Sequence, residues 1–216
     1  MVDHHNVCHT MKRVCVFCGS SPGAKPEYVE VAILLGRTLA QRKIGLVYGG
    51  GKVGLMGYTA AAASRAGGEV IGVIPKGLVK KEVAFTGLSD LRVVDTMHER
   101  KALMAELSDG FIAMPGGLGT LEEFFEALTW AQLGMHGKPC GFLNVCHYYD
   151  AILGFLDCAV SEQFIDREHR DMVLVDETPG ALLDRFEAYK PPTSDKAAWA
   201  LQLMCVHANP GQKDIR

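Results

Sequence analysis

Short apolar, β-branched runs alternate with helix-period segments along almost the whole chain. The apolar runs predict strands at Arg13–Cys18, Ile44–Tyr48, Glu69–Ile74, Leu91–Val94, Phe111–Met114 and Cys140–Asn144, with a seventh at Met172–Val175. Between them, the 3.6-residue period predicts helices at Glu27–Gln41, Met56–Ala66, Met97–Leu107, Leu121–Met135 and Tyr148–Glu162. In the first helix Val31, Leu34, Leu35, Thr38 and Leu39 share one stripe, and Pro26 suits its first turn. Alternation of this kind predicts an α/β fold: a doubly wound, mostly parallel, Rossmann-like sheet with helices on both faces. The expected organisation is a tail over 1–11, one nucleotide-binding domain over 12–190, and a Pro-led tail over 191–216. That last tail carries a short amphipathic piece at Lys196–Val206.

Ligands bind such sheets at the carboxyl ends of the strands, and three of those loops are rich in small residues. They are Gly19-Ser20-Ser21-Pro22-Gly23, Gly49-Gly50-Gly51-Lys52-Val53-Gly54, and Pro115-Gly116-Gly117-Leu118-Gly119-Thr120. Glycine at one strand-to-helix turn is commonplace. Three such loops on one sheet edge point to a nucleotide-sized site, with backbone N–H groups and a helix N-terminus favouring phosphate. The dinucleotide fingerprint is absent, since the first turn does not fit Gly-x-Gly-x-x-Gly and no acid closes the second strand. No Gly-x-x-x-x-Gly-Lys-Ser/Thr is present either, which disfavours a P-loop ATPase.

Glu123 is the anomaly, because a carboxylate beyond an anion cradle repels phosphate unless it faces something that becomes positive. Thr120-Leu121-Glu122-Glu123 also fits a Ser/Thr-x-x-Glu capping box, and spacing alone favours that role. Arg100 and Lys101 open another helix, where positive charge opposes the macrodipole. They fit either a solvated face or a phosphate or carboxylate ligand. Glu82 fits a solvated loop acid or a ribose contact, while Met56 and Trp130 fit the core or the lining of a base pocket.

Composition narrows the partners. A net charge of -3 over 216 residues gives no basic field for nucleic acid or an anionic membrane. No apolar run is long enough to span a bilayer, and the first residues lack a secretory plan, so a cytoplasmic location is expected. Seven cysteines, an odd number, argue against a disulfide framework. Cys15 and Cys18 form a Cys-x-x-Cys pair within an apolar strand, where they fit small core residues better than a metal or redox pair. His4, His5, Cys8 and His9 fit a polar tail.

Pro115-Gly-Gly-Leu-Gly-Thr-Leu-Glu-Glu123 and Met97-His-Glu-Arg-Lys101 together resemble the two motifs of the LONELY GUY family of cytokinin riboside 5′-monophosphate phosphoribohydrolases. The likeness runs from about Arg13 to Ala188 and includes Val16-Phe-Cys-Gly-Ser-Ser21 and Leu46-Val-Tyr-Gly-Gly-Gly51. It departs from the pattern near Glu82–Leu88, where histidine is expected at the Phe85 position. The resemblance implies hydrolysis of the N-glycosidic bond of a nucleoside 5′-monophosphate, with Arg100 and Glu123 catalytic and no metal or organic cofactor. The Gly116–Thr120 turn would cradle the phosphate. Gly19, Ser20, Gly49, Gly50, Gly51, Glu82, Lys101, Leu121, Glu122 and Thr129 would complete the binding shell. It also implies a homodimer, whose contact would use the helices around Phe124–Met135 and Tyr148–Phe164. Two other functions fit less well. Pyridoxal-dependent decarboxylation lacks a recognisable Schiff-base lysine, and a non-catalytic nucleotide carrier has no need of the Arg100–Glu123 pair.

Overall fold

The computed structural model describes residues 11–79, 85, 88, 90–192, 199 and 201. Its strands are β1 (Arg13–Phe17), β2 (Gly45–Tyr48), β3 (Val70–Pro75), β4 (Asp90–Val94), β5 (Gly110–Ala113), β6 (Cys140–Leu143) and β7 (Val173–Asp176). The helices are α1 (Pro26–Gln41), α2 (Gly54–Arg65), α3 (Lys76–Val79), α4 (Met97–Glu106), α5 (Leu118–Gln132), α6 (Asp150–Ser161), α7 (Arg167–Asp171) and α8 (Pro179–Ala188). Each expected strand and long helix is present within a few residues of its expected bounds. The short α3, α7 and α8 are additions that the hydrophobic pattern does not predict. Of the Lys196–Val206 piece, Trp199 and Leu201 are helical and the remainder lies outside the described residues.

The strands form one sheet in the order β4-β3-β2-β1-β5-β6-β7. Every pairing is parallel, so the sheet is more uniform than the mostly parallel one expected. Side-chain alternation explains the two layers. Val14 and Val16 face a core built with α1, α2 and α8, through Leu35, Leu39, Leu55, Leu182 and Phe186. Cys15 and Phe17 face the opposite core, built with α4, α5 and α6 through Met104, Phe124 and Leu156. Phe124 packs against Phe142 with ring centroids 4.2 Å apart and the rings tilted by 37°, and both are fully buried. Truncating either to alanine would cost about 3–5 kcal/mol.

The buried face of α1 is turned from the expected stripe. Leu35 and Leu39 are buried, but Leu34 is exposed and the remaining buried positions are Tyr28, Ala32 and Gly36. The cause is a second packing surface. Gly36 lies directly against Thr59, Ala62 and Ala63 of α2, so α1 must face its neighbouring helix as well as the sheet. Hydrophobicity alone could not reveal an interface made from small residues.

Candidate functional site

Strands β1 to β4 progress in one direction across the sheet, and β5 to β7 lie on the other side of β1. The order therefore reverses between β1 and β5, and the loops leaving these two strands diverge to open a crevice. Hydrogen bonds lace the loops at that crevice. Gly19 N–H donates to Pro115 O at 3.0 Å, and Leu55 N–H donates to Gly19 O at 3.0 Å. A cavity of about 330 Å³ lies between Gly19–Ser21 and Pro115–Gly117, with Leu55 at its base and Tyr28 and Tyr148 as aromatic walls.

Helix α5 begins at Leu118, three residues before the expected start, with Gly117 as its N-cap. Thr120 is thus inside the first turn and 5% exposed. Its hydroxyl packs so close to Gly116 that a Cβ there would overlap it. A capping box requires the threonine to stand outside the helix, so Thr120 and Glu123 do not form one. Among the described residues no side chain caps this helix. Its first N–H groups lack partners within the helix, and around Gly117 and Gly119 there is open space where a side chain would project. Reciprocal capping occurs on α4 instead, at Thr96-Met97-His98-Glu99. There Glu99 N–H donates to Thr96 Oγ1 at 3.1 Å, and Asp95 N–H donates to the Glu99 carboxylate at 2.9 Å. That Thr-x-x-Glu was readable in the sequence.

Released from capping, Glu123 faces Arg100. Arg100 Nη1 lies 3.0 Å from Glu123 Oε1, and the two side chains are 8% and 12% exposed. Arg100 is no solvated helix residue. Its Nε donates to Val73 O at 3.1 Å near the end of β3, and its Nη1 contacts Met97 Sδ at 3.8 Å. Gly49 provides the remaining room, because a Cβ at that position would overlap Arg100 Nη2. The slot for the guanidinium is therefore assembled from β3, the β2–α2 loop and α5.

Charge at this pair reaches the first strand. The Cys15 and Cys18 thiols are pushed well up, first by burial and next by the negative charge of Glu123. Both stay neutral thiols, and they pack on opposite faces of the sheet. Among the described residues no group of three or more His, Cys, Asp or Glu side chains could hold a metal ion.

Lys101 occupies the neighbouring position and pairs outward, its Nζ 2.5 Å from Glu122 Oε1 and 2.9 Å from Glu126 Oε1. Burial works to lower the pKa of this ammonium, but hydrogen bonds to the two carboxylates outweigh it and the pKa is raised. The structure thus places Arg100, Glu123, Gly49 and Val73 together, and Gly19, Ser20 and Gly116–Gly117 around the cavity. Gly50 and Gly51 continue the β2–α2 loop, and Leu121 packs on the α4–α5–α6 core. Thr129 is exposed and bonds to Phe125 O at 2.6 Å, about three helical turns from the glycine-rich turn. Met56 is buried in the α1–α2 core, and Trp130 is half-buried on α5. Glu82 lies outside the described residues.

Two residues escaped the sequence reading. Tyr148 Oη donates to Gly116 O at 2.7 Å and Tyr149 Oη donates to Met114 O at 2.6 Å. Paired tyrosines after β6, the strand beside β5, were the available signal.

Comparison with known proteins identifies the family and the fold. Residues 56–186 match the family model described as "Possible lysine decarboxylase". The chain is 50% identical over 190 residues to a probable cytokinin riboside 5′-monophosphate phosphoribohydrolase of Oryza sativa subsp. japonica, covering 88% of this chain and 77% of that protein. It is 51% identical over 180 residues to the cytokinin riboside 5′-monophosphate phosphoribohydrolase LOG7 of Arabidopsis thaliana, covering 83% of each. Among solved structures, the molybdenum cofactor carrier protein of Chlamydomonas reinhardtii has a TM-score of 0.62 at 22% identity, over 82% of this chain and 99% of that one. The molybdenum cofactor binding protein of Rippkaea orientalis has a TM-score of 0.60 at 23% identity, over 82% and 96%. At that identity the two structures establish the shared Rossmann-like fold. The sequence identity to the plant proteins goes further, and the chain belongs to the family of cytokinin riboside 5′-monophosphate phosphoribohydrolases.

Proposed function

We propose that this protein hydrolyses the N-glycosidic bond of an N6-modified adenosine 5′-monophosphate, releasing the free cytokinin base and ribose 5-phosphate. The observation that carries this reading is the buried Arg100–Glu123 pair beside the glycine-rich turns at the sheet's reversal point. Glycosidic cleavage passes through an oxocarbenium-like state, so positive charge grows on the ribose as the base departs. A fixed carboxylate next to that carbon stabilises the transition state more than the ground state. Glu123 also orients the attacking water and accepts its proton, the hydroxyl adding to the anomeric carbon while the base leaves with its bonding electrons and is protonated. Arg100 holds Glu123 in place, and its remaining donors serve the phosphate and ribose oxygens or the leaving base. The N-terminus of α5, over Gly116–Thr120, receives the 5′-phosphate, with Gly19, Ser20 and the Gly49–Gly51 loop completing the crevice.

The protein is proposed to act as a homodimer. Leu133 and Met135, at and after the end of α5, and Phe155 and Phe164, on and after α6, are all exposed. These exposed apolar side chains on and beyond α5 and α6 are the surface that a second copy would cover. Light scattering at working concentration checks this.

The function is tested by incubating purified protein with N6-isopentenyl-AMP and, separately, with AMP, then assaying base and ribose 5-phosphate by chromatography. Release of base with faster turnover of the prenylated nucleotide is the expected result. Equal or faster turnover of AMP would make the protein a general purine nucleotide hydrolase. Tight nucleotide binding with no release from either would make it a carrier.

A further inference from the structure

Three consecutive carbonyls in the β5–α5 turn each receive a donor from a distant part of the chain, one from the β1–α1 loop and two from the segment after β6. Met114 O accepts from Tyr149 Oη at 2.6 Å, Pro115 O from Gly19 N–H at 3.0 Å, and Gly116 O from Tyr148 Oη at 2.7 Å. The next, Gly117 O, accepts from Leu121 N–H at 3.2 Å as the helix begins. An anion is drawn to N–H groups and repelled by carbonyl oxygens, so a turn that binds one must hold its carbonyls away. In a planar trans peptide the C=O and the following N–H point in opposite directions. A hydrogen bond to one carbonyl therefore aims the next residue's N–H.

The two tyrosines differ under this rule. Tyr149 fixes the Met114–Pro115 peptide, which has no N–H to aim. Its side chain is 1% exposed and belongs to the core. Tyr148 fixes the Gly116–Gly117 peptide, so its hydroxyl aims the Gly117 N–H at the N-cap of α5. It is 44% exposed and forms a wall of the crevice. Its ring is braced edge-on by Tyr28 at 5.8 Å and by Tyr149 at 5.0 Å. The chain reaches this placement through two successive left-handed residues, Cys146 at φ 52° and His147 at φ 60°. Neither is glycine, and such backbone persists only where the surroundings enforce it.

We infer that Tyr148 is a positioning residue for the substrate's 5′-phosphate, acting through the Gly116–Gly117 peptide. This rests on the proposed reading that the turn takes that phosphate. Tyr148→Phe keeps the ring and removes only the hydroxyl, and Tyr149→Phe makes the same deletion one residue away. The readouts are the Kd of ribose 5-phosphate by calorimetry and the melting temperature of each protein. Tyr148→Phe is expected to raise the Kd about three- to tenfold, the range of one hydrogen bond, with Tm within about 2 °C of wild type. Tyr149→Phe is expected to lower Tm and leave the Kd within about twofold. A Tyr148→Phe protein that melts earlier while binding ribose 5-phosphate as wild type does would overturn the inference, as would a wild-type protein that does not bind this probe. Absence of base release by wild type would instead count against the proposed hydrolysis, and the Kd comparison would still decide the role of Tyr148.

Discussion

Helices α4 and α5 are joined by two adjacent charged rungs that differ in almost everything but chemistry. The outer rung links Lys101 to Glu122 and Glu126, whose side chains are 55% and 28% exposed. The inner rung links Arg100 to Glu123, with both partners nearly buried. Lys101 is itself only 11% exposed, but solvent reaches its two carboxylates, and a pair open to solvent on one side is partly screened and contributes little. A buried pair has lost its hydration and is weak evidence for stability, because apolar residues would fill the space as well. The outer rung is explained as a strap between helices. The inner one calls for another explanation, and its place beside the first turn of α5 and the Gly49 loop supplies it.

Breaking the inner rung should have the largest effect. Arg100→Ala removes the cation from a buried carboxylate, with an expected loss of about 3–5 kcal/mol in urea unfolding. Base release should fall by at least about 10²–10³-fold in the same protein. Arg100→Lys should not restore it, since one ammonium cannot span Val73 O and Glu123 as the guanidinium fork does. Gly49→Ala tests the same rung without touching a charge. Its new methyl group would displace the Arg100 fork, and a misplacement of that size should lower turnover about a hundredfold. The protein should remain folded by circular dichroism.

The outer rung should break quietly. Glu126→Ala is expected to cost below about 1 kcal/mol, less in high salt, with base release unchanged. A loss of turnover there would erase the distinction between the rungs. The smallest effect is expected at the opposite edge of the sheet, where His136 packs on Phe111 with ring centroids 5.4 Å apart. Burial, and then the charge of Lys138, depress its pKa below the usual 6.5. The unfolded chain therefore takes up the proton first as pH falls. The contribution of this site is complete above the usual value and declines as pH drops through it toward the folded one. Urea unfolding at pH 7.5 and 5.5 should show this slope in wild type and a shallower one in His136→Phe.

These contrasts also separate what the sequence could disclose from what it could not. Strand order along the chain, the parallel sheet and the three glycine-rich loops followed from periodicity and turn chemistry, which are local. The Thr120 capping box failed because Gly117, Leu118 and Gly119 let the helix start one turn earlier, with Thr120 buried against Gly116. Arg100 could pass for a solvated residue because its slot comes from Val73, Gly49 and Glu123, which are distant in sequence. Tyr148 and Tyr149 were missed for the same reason. Their hydroxyls act on a turn more than thirty residues away. Glu123 itself was singled out by the mismatch between a carboxylate and an anion cradle, and that mismatch was visible from the start.

The central claim is that Glu123 acts on the ribose and does not serve the helix. It is tested most directly by single-turnover base release from N6-isopentenyl-AMP in wild type and Glu123→Gln, with melting temperatures recorded alongside. Wild type is expected to release base, the variant to do so at least about 10²–10³-fold more slowly, and the variant to remain folded and still bind ribose 5-phosphate. A variant that turns over at a near-normal rate but melts earlier would contradict the claim and return Glu123 to a structural role.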